Sequence, residues 1–144
     1  MKNKITIGKK DKADFPELEL YNLDIKVDTG AYTSSIHCYK IKELEENGIK
    51  YIEFQLLDPS HKNYNHKKFR VKSFKEKKIK SSNGKGEKRY IIKTKIFIFK
   101  KTFTLELSLS ERSEMRFPVL LGRKLLNNKF IVDTSLSNLS YNAK

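Results

Sequence analysis

Leu23-Asp24-Ile25-Lys26-Val27-Asp28-Thr29-Gly30-Ala31 is the stretch on which the reading of this chain turns. Leu23, Ile25 and Val27 alternate with polar residues, the period of a half-buried strand, and that strand runs directly into Asp28. A strand ending on Asp-Thr-Gly sets a carboxylate on a tight loop. Gly30 allows close backbone approach there, and the Thr29 hydroxyl can hold the loop by a hydrogen bond. A carboxylate so placed suits acid–base chemistry. Asp-Thr-Gly is also ordinary turn chemistry, so the rest of the chain has to decide.

Working outward, the same period recurs. Ile52, Phe54 and Leu56 alternate, and Phe103, Leu105, Leu107 and Leu109 give the cleanest case. Residues 90–99 are apolar on both faces, with Ile92, Ile96 and Ile98 against Ile91, Phe97 and Phe99, which predicts a central strand buried on both sides. Asn47-Gly48 between two apolar runs predicts a hairpin turn; a short helix over 41–47 capped by Gly48 is the competing reading. Asp58 to Lys68 and Ser81 to Gly86 read as loops at hairpin tips. One short helix is expected, from Gly122-Arg123 through Leu125-Leu126 to Asn128. The pattern is all-β, one domain over 1–144, with a short carboxy-terminal helix.

At 144 residues the chain can bury one modest core. No apolar run approaches the roughly 20 residues of a membrane span, and no apolar segment of signal-peptide length follows the basic amino terminus. A single cysteine, Cys38, excludes an internal disulfide and fits a reducing compartment, so a cytoplasmic protein is expected. The net charge of +14 favours acidic partners, although lysines spread along the whole chain favour them only weakly.

The second informative segment is Phe117-Pro118-Val119-Leu120-Leu121-Gly122-Arg123-Lys124-Leu125-Leu126. Asp-Thr-Gly-Ala followed downstream by Leu-Leu-Gly-Arg and a Leu-Leu helix resembles the retropepsin type of aspartic peptidase. In that family the second segment packs behind the catalytic loop. The wider pattern resembles the RimB-like family, long labelled an ATP-dependent zinc protease and associated with RimK-type glutamate ligases. The residues that carry this are Lys26 to Ala31, Thr33 to His37, Ser81-Ser82, Arg89, Arg112, Met115, Phe117-Pro118, Leu120 to Arg123 and Phe130 to Asp133, with Ile7-Gly8 and Pro16 to Leu18 upstream.

The resemblance implies a retropepsin-like closed β-barrel and removal of post-translational glutamate tails. It also implies a homodimer, because one chain supplies one catalytic aspartate. Asp28 would be the catalytic carboxylate, with Thr29 and Gly30 fixing its loop and Ala31, Leu121, Gly122 and Arg123 supporting it. Arg89, Arg112 and Arg116 are candidates to bind substrate carboxylates, since a guanidinium pairs bidentately with a carboxylate. One departure matters: Tyr32 follows Asp-Thr-Gly-Ala, where classical retropepsins place an aspartate that partners the helix arginine and the glutamate-associated family commonly places an arginine. Arg123 must then find another partner, and substrate specificity at residue 32 is set apart from both. The flap over the site falls in one of the two loops, 58–68 or 81–86.

The label's zinc and ATP find no support in the residues. No Walker loop is present, since Gly84-Lys85-Gly86 lacks the spacing, and there is no His-Glu-x-x-His. His37 reads as a hydrogen-bonded structural histidine rather than a zinc ligand, and Asp58, His61 and His66 as a solvated loop. Asp133-Thr134-Ser135 reads as a strand-end turn rather than a second catalytic aspartate, and the run Lys75 to Lys80 as a solvated strand face. No metal and no cofactor are therefore expected. Two other classes stay open: a non-catalytic basic module binding RNA, ribosome or a ligase partner, which is the less favoured reading, and a zinc metallohydrolase.

Overall fold

The computed structural model describes residues 3–80, 86–112 and 116–144, with the side chains at 79, 80, 86 and 87 left aside. Along the chain the strands are β1 (Ile5–Ile7), β2 (Lys10–Phe15), β3 (Leu20–Val27), β4 (Ser34–Glu46), β5 (Ile49–Leu56), β6 (Lys68–Val71), β7 (Lys75–Lys80), β8 (Gly86–Ile98) and β9 (Lys101–Ser110). After them come β10 (Val119–Leu121), helix α1 (Arg123–Leu126), β11 (Phe130–Val132) and helix α2 (Leu139–Asn142). No described helix is long and apolar enough to cross a membrane.

Six strands close on themselves in the order β10, β3, β2, β8, β9, β4 and back to β10. The closing strand is only three residues long. Val119 to Leu121 pairs in parallel with Ile25 to Val27 on one side and antiparallel with Ile36 and Ser35 on the other. The result is the closed barrel that the family resemblance implied. Its interior is filled by Leu23, Ile25, Ile36, Ile92, Ile96, Leu107 and Leu121, each at most 3% exposed.

Two appendages leave the barrel. β4 kinks between Tyr39 and Lys42, with Lys40 at φ 54°, and its outer half pairs with β5, which pairs with β6 at the free edge. The turn between β4 and β5 is Asn47-Gly48 with both φ positive (52° and 77°), the combination a two-residue hairpin favours. The hairpin reading holds, and the helix over 41–47 is not formed. On the other side, β1 and β11 form a separate two-stranded parallel sheet, whose Phe130 ring lies 5.5 Å from that of Phe103.

Two expectations need correction. β8 is central, but it is buried on one face only: Ile92, Thr94, Ile96 and Ile98 point inward, while Lys93 and Lys95 are exposed and Phe97 is 36% exposed. The lysines between the apolar residues hold that face in water. The carboxy-terminal region also contains two helices rather than one. α1 ends at Leu126, and α2 exists because buried Asp11 on β2 caps it: its carboxylate accepts Ser140 N–H at 2.8 Å and Tyr141 N–H at 3.0 Å. That cap comes from 129 residues away in sequence, so no local pattern announces it.

Asp11 is 1% exposed, and its loss strands two donors near the core. Asp11→Ala should therefore lower unfolding free energy by about 2–3 kcal/mol in a urea titration. A change below about 0.5 kcal/mol would mean that the carboxy-terminal helix contributes little to the fold.

Candidate active site

The site is built where β10 crosses between β3 and β4. Asp28 follows β3 directly and is half-buried, its backbone N–H donating to Leu121 O at 2.9 Å. Its loop is tight: Ala31 N–H donates to Asp28 O at 3.2 Å, and Gly30 N–H donates to Asp28 Oδ1 at 3.0 Å. A carboxylate that accepts a backbone N–H is fixed in direction while its other oxygen is left for chemistry.

The segment 121–124 clamps this loop from behind. Arg123 N–H donates to Ala31 O and Lys124 N–H to Tyr32 O, both at 2.9 Å, while Gly122 N–H donates to Ser34 Oγ at 2.9 Å. The first turn of α1 thus spends its unpaired N–H groups on the loop. Gly122 is required by this approach: a Cβ there would lie 2.6 Å from Tyr32 O. Leu125 and Leu126, at 3% and 4% exposed, anchor the helix in the core, worth roughly 2 kcal/mol each.

Arg123 finds its replacement partners here. Its guanidinium donates to Thr29 O at 2.8 Å and stands 5.8 Å from the centroid of the Tyr32 ring. A carbonyl and an aromatic face take the place of the missing carboxylate. Thr29 and Gly30 are exposed, and the Thr29 carbonyl, the Asp28 carboxylate and the Arg123 guanidinium tie the loop together.

Asp28 opens into a cleft of about 260 Å³. Ala31, Tyr32, Thr33, Ser35 and Leu120 line it on the side of the Asp28 loop and its neighbours in sequence and sheet. The opposite wall comes from the β7–β8 hairpin and β9: Lys77, Arg89, Ile91 and Ser108, with Arg112 just beyond. Lys77 faces Arg89 across the hairpin. Of the two flap candidates, it is therefore the hairpin carrying the 81–86 loop that borders the site; residues 81–85, and Met115 of the second motif, lie outside the described residues. The 58–68 loop joins β5 to β6 instead.

Arg89 and Arg112 thus meet at the cleft, whereas Arg116 is exposed and does not line it. Lys77 was not foreseen. The expected solvated face of 75–80 is partly a cleft wall, and the signal available was its register opposite Arg89, which only strand pairing reveals. Arg112 is held through its backbone: its N–H donates to His37 Nδ1 at 2.9 Å, and the buried ring meets Asp58 Oδ2 through Nε2 at 2.6 Å. The Ser60 hydroxyl and N–H hold the Asp58 carboxyl below its usual range against the opposing effect of burial, with His37 adding to them. His37 is a structural histidine in this arrangement. The described residues hold no group of three or more His, Cys, Asp or Glu suited to a metal ion. Asp133 closes a turn onto Ser135 N–H and Oγ, at 2.9 and 2.6 Å. Cys38 is buried, which pushes its thiol pKa up and leaves it unreactive.

Residues 6–142 match the family model described as RimB-like, retropepsin-like aspartic endopeptidase RimB. The chain belongs to this family. RimB-like sequence also occurs inside larger relatives. A probable alpha-L-glutamate ligase of Shewanella pealeana is 37% identical over 94% of this chain, and one of Desulfotalea psychrophila is 32% identical over 90%. The chain spans only 30% and 28% of their respective lengths. Among solved structures, a Legionella pneumophila protein of unknown function superposes with a TM-score of 0.75 at 27% identity, covering 96% of this chain and 99% of that one. The RimB-like assignment agrees with the closed barrel and with the Asp-Thr-Gly and Leu-Leu-Gly-Arg segments meeting in space.

Gly122→Ala forces a Cβ against the Tyr32 carbonyl, so the variant should lose about 1–3 kcal/mol of stability. Amide exchange should rise at Arg123 and Lys124, whose N–H groups hold the loop. Unchanged protection at those two amides would show that the clamp tolerates the extra carbon.

Proposed function

We propose that this chain is an aspartic peptidase working in the cytoplasm as a homodimer, with Asp28 of each copy forming one catalytic dyad. Its substrates are acidic polypeptides, in particular glutamate tails added after translation. The observation that carries this reading is the cleft, in which the Asp28 carboxylate opens toward Lys77, Arg89 and Arg112.

Two carboxylates brought within about 3 Å cannot both ionise, so a dyad shares one proton and its pKa values belong to the pair. The ionised Asp28 takes a proton from water as the oxygen attacks the scissile carbonyl carbon. The protonated Asp28 of the second copy gives its proton to the carbonyl oxygen. Collapse of the tetrahedral intermediate breaks the C–N bond, and the leaving amine takes a proton from the dyad. The clamp at 121–124 supports this chemistry by fixing the loop in advance.

The cationic wall speaks for an acidic substrate. Arg89 and Arg112 can each grip a carboxylate with two parallel hydrogen bonds, and Lys77 adds a point charge opposite Arg89. Such a wall penalises a neutral peptide, which would desolvate Lys77 and Arg112 without offering them a carboxylate. The glutamate ligase names of the larger relatives support a functional link to a RimK-type ligase, with addition and removal of glutamate as paired activities.

The test is cleavage of an oligo-glutamate-tailed peptide by wild type and by Asp28→Asn, with and without chelator. Chelator-resistant cleavage lost in the variant is expected; equal cleavage by both proteins would overturn the dyad, and cleavage abolished by chelator would favour a metallohydrolase. Lys77→Gln with Arg112→Gln should raise KM roughly tenfold and leave kcat nearly unchanged. Because the wall pairs with ionised glutamates, KM should also rise as pH falls below about 4.3, the ordinary glutamate value. A KM flat across that range would argue against charge recognition.

A further inference from the structure

A second cavity, of about 450 Å³, lies beside the cleft, and the chemistry above leaves it without a task. Lys75, Lys93, Lys124 and Lys129 line it together with a single carboxylate, Glu106. Glu106 is already committed: Oε2 accepts from Lys75 Nζ at 2.7 Å and Oε1 from Lys124 Nζ at 2.6 Å. Four ammonium groups against one carboxylate leave three positive charges uncompensated, and Lys93 and Lys129 have no carboxylate partner among the described residues. Lysines gathered in a recess repel one another, and a bound anion relieves that repulsion.

The cavity and the cleft share a wall whose spacing is set by the sheet. In register, Lys75 faces Ile91 and Ile91 faces Ser108, while Lys93 faces Glu106. Lys77, Ile91 and Ser108 border the cleft, whereas Lys75, Lys93 and Glu106 border the lysine cavity. Each strand therefore passes from one compartment to the other in a step of two residues, about 6.6–6.8 Å. Alternate side chains of an extended peptide project to one side at that same spacing. On the far side, the Lys124 N–H bond to Tyr32 O joins the helix that walls the cavity to the loop that walls the cleft.

We propose that the lysine cavity is a second carboxylate subsite, taking a glutamate two residues along the peptide from the one held in the cleft. This rests on the reading of the chain as a peptidase for acidic tails. Glu106 is the subsite's internal counter-charge. Hydrogen bonds from Lys124 and Lys75 hold its pKa at about 2, so it stays ionised wherever a glutamate tail does. It keeps Lys75 and Lys124 in place and leaves Lys93 and Lys129 to meet the substrate.

The experiment is binding of fluorescent peptides with short and long glutamate tails to Asp28→Asn protein at fixed ionic strength, alongside cleavage by active protein. Lys93→Gln with Lys129→Gln should weaken the long tail roughly fivefold and leave the short tail unchanged. Exposed Lys62→Gln with Lys101→Gln serves as a control of equal charge. Glu106→Gln frees two more lysines and should act in the opposite direction, tightening the long tail. An equal loss in the control pair would reduce the effect to the general positive field and overturn the subsite. So would unchanged long-tail affinity in the Lys93/Lys129 pair while cleavage by active protein persists, which leaves the peptidase reading standing. Failure of every tail to bind or be cleaved sinks both.

Discussion

The insertion of Val119 to Leu121 between β3 and β4 is the constraint on which the rest of the molecule depends. Three residues close the barrel, and their flanks reach further: Pro118 O accepts from His37 N–H, and Leu121 O accepts from Asp28 N–H. The same few backbone groups complete the core and set the direction of the Asp28 loop. The partners are distant, with Gly122 and Ser34 separated by 88 residues and Arg123 and Thr29 by 94. Contacts of such separation form late, because the chain must lose its loop entropy before they repay it. The site shares its backbone contacts with barrel closure rather than being displayed on an independent scaffold.

Charge is organised in two ways on this strongly basic chain. Away from the site, lysines and arginines are tied down by carboxylates: Glu43 receives Lys50 and Lys88, and buried Glu53 receives Arg70. Behind the site, Arg123 is satisfied without any carboxylate, by the Thr29 carbonyl and the Tyr32 ring. Tyr32 is central to that difference. An acidic residue in its place would set a negative charge beside Asp28 and the cationic wall. A tyrosine braces Arg123 with its ring and brings no carboxylate.

Much of this was legible in the residues. The alternations at 23–27 and 103–109, the Asn47-Gly48 turn and the two motif segments each carry their meaning within a few neighbouring positions. What stayed hidden depends on partners far along the chain. Lys77 joins the cleft through its register opposite Arg89, and α2 exists because Asp11 reaches it. β8 offers an outward face because lysines interrupt an apolar run, a detail that average hydrophobicity conceals. Arg116 shows the converse: residue type and motif proximity suggested a site residue, and it is exposed and not among the residues that line the cleft.

The arm formed by β4, β5 and β6 has a consequence outside catalysis. Among the described strands, Lys68 to Val71 pairs on one side only, with β5, and leaves an edge that another extended chain could match. The edge is only four residues long, and Arg70, stacked 5.3 Å from the Tyr51 ring and bonded to Glu53, fixes bulk and charge along it. Short, charged edges resist strand addition. The arm is thus kept from extending its sheet by pairing with a second copy of its own basic edge.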